Sequence, residues 1–77
     1  MLIGLQIKAA RALLGWDQAK LADQSEISLP TIRRIESQSG PIKAHTRSIY
    51  ALESVLIRAG VEFLNDGSPG VRLRMRE

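Results

Sequence analysis

Apolar positions recur at helical spacing through the first three quarters of the chain and at every second residue after that. Ile7, Ala10, Arg11 and Leu14 fall at i, i+3, i+4 and i+7, one helical stripe with a charged member inside it. Gly15 follows as a stop signal. Asp17 is placed to cap a second helix that holds Lys20, Leu21, Ala22 and Gln24. Ser25-Glu26-Ile27 reads as a short turn, and Ser28 as the next N-cap. Pro30 then lands in the first turn of a third helix, where its missing N–H costs little. That helix runs to about Ser37, and Gln38-Ser39-Gly40-Pro41 punctuates a loop. Thr46 is expected to cap a longer fourth helix ending near Ala59-Gly60, with Ile49, Leu52, Val55 and Leu56 as its apolar stripe.

Beyond Gly60 the period becomes two. Val61-Glu62-Phe63 and Val71-Arg72-Leu73-Arg74-Met75 alternate apolar and charged residues, and residues 65–70 between them are dense in turn formers. The pattern predicts a hairpin over residues 61–76 with a six-residue loop. Val61, Phe63, Val71, Leu73 and Met75 form its apolar face; Glu62, Arg72, Arg74 and Arg76 form the other. A lone two-stranded hairpin is marginal in water. It must pack on its own helices, pair with another chain through a strand edge, or do both. Edge pairing would make the apolar face part of a two-fold dimer interface. Gly67-Ser68-Pro69-Gly70 has GXXG spacing but no basic residue between the glycines, so it reads as turn chemistry.

The length of 77 residues bounds these elements to one domain, residues 1–77, with a helical core over residues 4–59. A core this small is marginal and leaves little room for an enzyme cleft. There is no Cys, so neither a disulfide framework nor a thiolate metal site is expected. His45 is the only His and has no acidic neighbour, so a surface position is expected and no metal, cofactor or catalytic role. No run approaches the roughly 18 apolar residues of a membrane span, and the start lacks a basic, then long apolar, leader pattern. A non-enzymatic, cytoplasmic binding module is the expectation. Trp16 and Tyr50 are expected in the core or at its boundary, since three aromatics are too few for a single-strand stacking surface.

Charge sharpens the picture. Residues 1–28 and 48–77 are each balanced, so the whole net charge of +3 falls in residues 29–47, where Arg33, Arg34, Lys43 and Arg47 face Glu36 alone. A localised positive segment suits a polyanion, and a solvated charged face is the plainer alternative. With about 100° per residue, Pro30, Arg33, Arg34 and Ser37 fall on an arc opposite the Ile32–Ile35 face. Arg can read guanine O6 and N7 bidentately, and Leu29 and Pro30 can touch thymine methyl groups in a major groove.

Gln18 through Glu36, with Leu21-Ala22, Ile27-Ser28, Thr31-Ile32 and Ile35-Glu36 at their spacings, resembles the helix-turn-helix of Cro/phage-repressor-type (XRE family) DNA-binding domains. Ile7-Lys8-Ala9-Ala10-Arg11 and Gly15-Trp16-Asp17-Gln18 resemble the family's first helix and the junction after it, so the likeness covers about residues 4–58. It implies a mainly α, four-helix phage-repressor-like fold with the C-terminal β-hairpin replacing a short fifth helix. It also implies a sequence-specific, usually dimeric regulator on a palindromic double-stranded DNA operator.

By the resemblance, Gln18 contacts phosphate and buttresses the recognition helix, while Ser28 and Thr31 cap it and touch phosphate. Leu29, Pro30, Arg33 and Arg34 stand at base-reading positions, with Ser37 on the same exposed face. Lys43, Thr46 and Arg47 stand where the backbone is gripped, and Arg11 and Glu36 match an interhelical salt bridge. Two positions depart from the pattern. Glu26 stands where the turn usually has Gly, and Leu29-Pro30 replace a long polar reader. A different reading is an antitoxin-like chain that neutralises a partner protein through the arginine face of the hairpin and uses DNA binding for autoregulation.

Overall fold

Four helices precede one hairpin in the computed structural model, which describes residues 2–74. In chain order these are α1 (Gly4–Leu14), α2 (Gln18–Ser25), α3 (Leu29–Ser37), α4 (Thr46–Arg58), β1 (Val61–Leu64) and β2 (Gly70–Leu73). Met75 and Arg76, expected on opposite faces of the hairpin, lie outside the described residues.

Local chemistry accounts for most boundaries. Gly15 adopts φ +70°; its N–H donates to the Ala12 carbonyl and that of Trp16 to the Arg11 carbonyl, which closes α1. The Asp17 carboxylate accepts from the Lys20 N–H at 2.7 Å to open α2. The Ser28 hydroxyl oxygen accepts from the Thr31 N–H at 3.3 Å to open α3, with Pro30 in its first turn. Helix α2 ends on Glu26 at φ +61°, ψ +25°, a left-handed conformation that a side chain makes unfavourable. Ser25 belongs to α2 rather than to the turn. Its buried hydroxyl donates to the Leu21 carbonyl at 2.7 Å and accepts from the Ile27 N–H.

The core draws on every helix and on the hairpin. Ile7, Ala10, Leu21, Ile32, Ile35, Leu52, Val55, Leu56 and Val61 form one buried cluster, with Leu14, Trp16, Phe63 and Val71 packed around it. Gly4 starts α1 where a Cβ would collide with the Ile35 carbonyl oxygen, so α1 and the end of α3 approach closely because that position has no side chain. Beside this contact Arg11 forks onto Glu36. Its Nε meets Oε2 at 2.7 Å and its Nη2 meets Oε1 at 2.8 Å, while Nη1 donates to the Trp16 carbonyl at 2.9 Å. Side-chain exposures of 14% and 4% make this a largely desolvated pair, and these hydrogen bonds hold the Arg11 guanidinium above its ordinary pKa. The charge inside the α1 stripe is therefore structural.

The hairpin is antiparallel, with Val61 opposite Leu73, Glu62 opposite Arg72, Phe63 opposite Val71 and Leu64 opposite Gly70. Gly70 belongs to β2, so the loop has one residue fewer than expected. On the outer face Arg72 forks onto Glu62 with both contacts at 3.0 Å, which lowers the Glu62 pKa. A depressed carboxyl stabilises the fold above the ordinary carboxylate range and loses that contribution as pH falls through its lowered pKa. The apolar face turns to the chain's own helices. Val61 is fully buried there, Phe63 and Val71 pack on the core, and Leu73 remains 41% exposed. Gln6 locks this docking: its Nε2 donates to the carbonyls of Leu64 and Gly70 at 3.2 and 3.0 Å, and its Oε1 accepts from the Ile3 N–H at 3.0 Å.

Two further expectations shift. His45, not Thr46, is the N-cap of α4, without a side-chain cap bond; Thr46 already has helical geometry, so its hydroxyl cannot close the first turn from outside. Tyr50 is 69% exposed, because the α4 stripe that turns inward is Leu52, Val55 and Leu56.

Glu26→Gly should raise stability by about 0.5–1 kcal/mol, the left-handed penalty less the extra backbone entropy of Gly. The thermal midpoint should rise by ~3–6 °C, whereas Glu26→Ala should give no comparable gain. Glu36→Ala strands a mostly buried guanidinium and should cost ~3 kcal/mol. Denaturant unfolding checks this, and a midpoint equal to wild type contradicts a structural pair.

Candidate nucleic-acid interface

Helix α3 is built with two opposed faces. Ile32 and Ile35 are fully buried, while Ser28, Pro30, Arg33, Arg34 and Ser37 are exposed and Leu29 and Thr31 half-buried. The burial follows from the spacing of the two isoleucines. The rotation is pinned at the far end by Glu36. Its Oε1 accepts from Gln18 Nε2 at 3.0 Å as well as from Arg11, so α1, α2 and α3 meet at one carboxylate. Gln18 is the first residue of α2. The buttress expected of Gln18 is present as a hydrogen bond.

The side chains around α3 sort by how far their hydrogen bonding is already used. Ser28 Oγ donates to Thr31 Oγ1 at 2.8 Å, and Ser37 Oγ donates to the Arg34 carbonyl at 2.9 Å. The Ser28 and Ser37 hydroxyls thus spend their protons within the helix and keep only acceptor capacity, whereas Thr31 accepts and retains its own proton. Among the described residues, Arg33 and Arg34 form no ion pair, and neither do Lys43 and Arg47. Four exposed cations with unspent donors thus lie on α3, the loop after it and the first turn of α4.

The loop from α3 to α4 is held rather than loose. Ile3 bridges Pro41, and the Ile42 N–H donates to the Leu2 carbonyl at 3.1 Å. Gln38 ends α3, and its side-chain amide bonds both backbone groups of Lys43. At the start of α4, His45, Thr46, Arg47 and Ser48 line an open polar depression. With no side-chain cap at His45, the first N–H groups of α4 remain available at the same end as Arg47. The roles of Gln6 and Gln38 carry no local sequence signal, since a glutamine near a helix end has many partners within reach. Trp16 is half-buried, with Lys20 Nζ 5.8 Å from its ring centroid, and serves the boundary of the core.

No helix among the described residues is long and apolar enough to cross a membrane. No curated protein matches the chain. A helix-turn-helix family model matches residues 7–56, which run from within α1 to within α4 and include the α2–turn–α3 unit. Such a domain points to DNA binding and regulation in general. The chain belongs to the helix-turn-helix family.

Proposed function

We propose that this protein is a sequence-specific transcription regulator of bacterial or phage repressor type, which inserts α3 in the major groove of double-stranded DNA. It acts by binding and not by catalysis. The observation that carries this reading is the pair Arg33 and Arg34, exposed and without ion-pair partners among the described residues, on a helix whose opposite face is fixed in the core. Two guanidinium groups so placed suit bidentate contact with guanine edges. Leu29 and Pro30 supply an apolar wedge rather than hydrogen bonds, so methyl contact and DNA shape contribute to selectivity. Lys43 and Arg47, with Thr46 and the uncapped start of α4, suit phosphate contact, which sets register and carries the salt dependence. Gln18 has a second amide proton to give, and the Thr31 hydroxyl accepts from Ser28 and keeps its own proton. Both stand at the start of their helices, where they suit donation to phosphate, and Ser28 contributes as the cap that holds Thr31 there.

A two-fold dimer completes the reading, because paired half-sites need paired recognition helices. The apolar face of the hairpin is largely occupied within its own chain, which leaves strand edges and the exposed Leu73, Ile57 and Tyr50 for a second copy.

Arg33→Ala and Arg34→Ala should each relax base preference and cost ~1–3 kcal/mol on the best-bound duplex. Arg47→Ala should instead weaken all duplexes alike and reduce the slope of log K against log salt by about one unit. Fluorescence anisotropy across a salt series separates the two, and an unchanged base preference in both arginine variants would remove α3 as the reader. Sedimentation equilibrium should show a dimer at the concentrations that saturate a two-half-site duplex; a monomer there would contradict the two-fold arrangement.

A further inference from the structure

Lys43 is bound more tightly through its backbone than its place in an exposed loop requires. Its N–H donates to Gln38 Oε1 at 2.6 Å, and its carbonyl accepts from Gln38 Nε2 at 3.1 Å. One side-chain amide therefore gives Lys43 both of the bonds that a neighbouring strand would give. Gln38 is itself fixed, because it ends α3 and its N–H donates to the Ile35 carbonyl at 3.3 Å. The middle of the loop is held separately by Ile3 against Pro41 and by Leu2 against Ile42. Removing the Gln38 amide would thus release Lys43 without freeing the residues before it.

We propose that Gln38 is a positioning residue that ties the backbone of Lys43 to the end of α3, so that the Lys43 ammonium meets a DNA phosphate at a set distance from the recognition helix. The clamp fixes the root of the lysine and leaves its charged end exposed and without an ion pair among the described residues. A surface lysine with no such task gains nothing from a fixed root, since its long stem is otherwise free to sample water. The inference rests on the DNA-binding reading above.

The test uses Gln38→Met, which keeps the length of the side chain and removes the amide. Amide hydrogen exchange without DNA should show Lys43 exchanging about tenfold faster than in wild type, with Ile42 little changed. Affinity for duplex DNA should fall about fivefold in the wild-type background, for all base sequences alike. In a Lys43→Ala background the same substitution should change affinity hardly at all, because the two residues act as one unit. An equal loss in both backgrounds, or unchanged Lys43 exchange, overturns the proposal. Wild-type protein that binds no duplex overturns the proposed function and the phosphate role of Lys43 together. Faster Lys43 exchange in Gln38→Met would in that case still establish the clamp.

Discussion

The Glu36 carboxylate accepts two hydrogen bonds from Arg11 and one from Gln18, and through them joins three helices. Helix α3 has only nine residues, too few to be stable alone. Burial of Ile32 and Ile35 supplies most of the free energy that holds it, roughly 1.5–3 kcal/mol for each side chain. Hydrophobic burial is non-directional, however, and leaves the helix some freedom to roll or slide. The fork from Arg11 and the amide of Gln18 remove that freedom, because both demand specific angles. Where Arg33 and Arg34 point is a consequence of where Glu36 is held.

Polar side chains act elsewhere in the same way. Gln6 is buried, and its amide spans the two ends of the hairpin loop while also meeting the start of α1. Gln38 does the equivalent for the loop after α3. In each case an uncharged amide bonds backbone groups at the edges of a loop. The core supplies cohesion, and a few side chains decide how the outer elements are seated on it. The absence of a side chain matters at Gly4, where α1 could not otherwise approach α3 so closely.

The helices, their caps at Asp17 and Ser28, the stop at Gly15 and the two faces of α3 were legible in the sequence, because each rests on residues within one or two turns of one another. The left-handed residue was legible as a departure: Glu26 sits where the turn needs positive φ and adopts it regardless. What the sequence hid was non-local. Gln6 reaches carbonyls 58 and 64 residues away, and no periodicity announces that. Tyr50 is expected in the core or at its boundary, yet it lies exposed because the inward stripe of α4 is made of the aliphatic Leu52, Val55 and Leu56. Alternation in the hairpin identified the apolar face but not what covers it; the chain's own helices do so for Val61, Phe63 and Val71.

Selection of bound duplexes from a random pool by the wild-type chain bears most directly on the central claim that α3, held by Glu36, reads bases in the major groove. The expected result is one enriched motif with guanines at the positions facing Arg33 and Arg34, repeated with two-fold symmetry about one helical turn apart. A pool that remains random after repeated rounds, with binding that depends on salt but not on sequence, would contradict it.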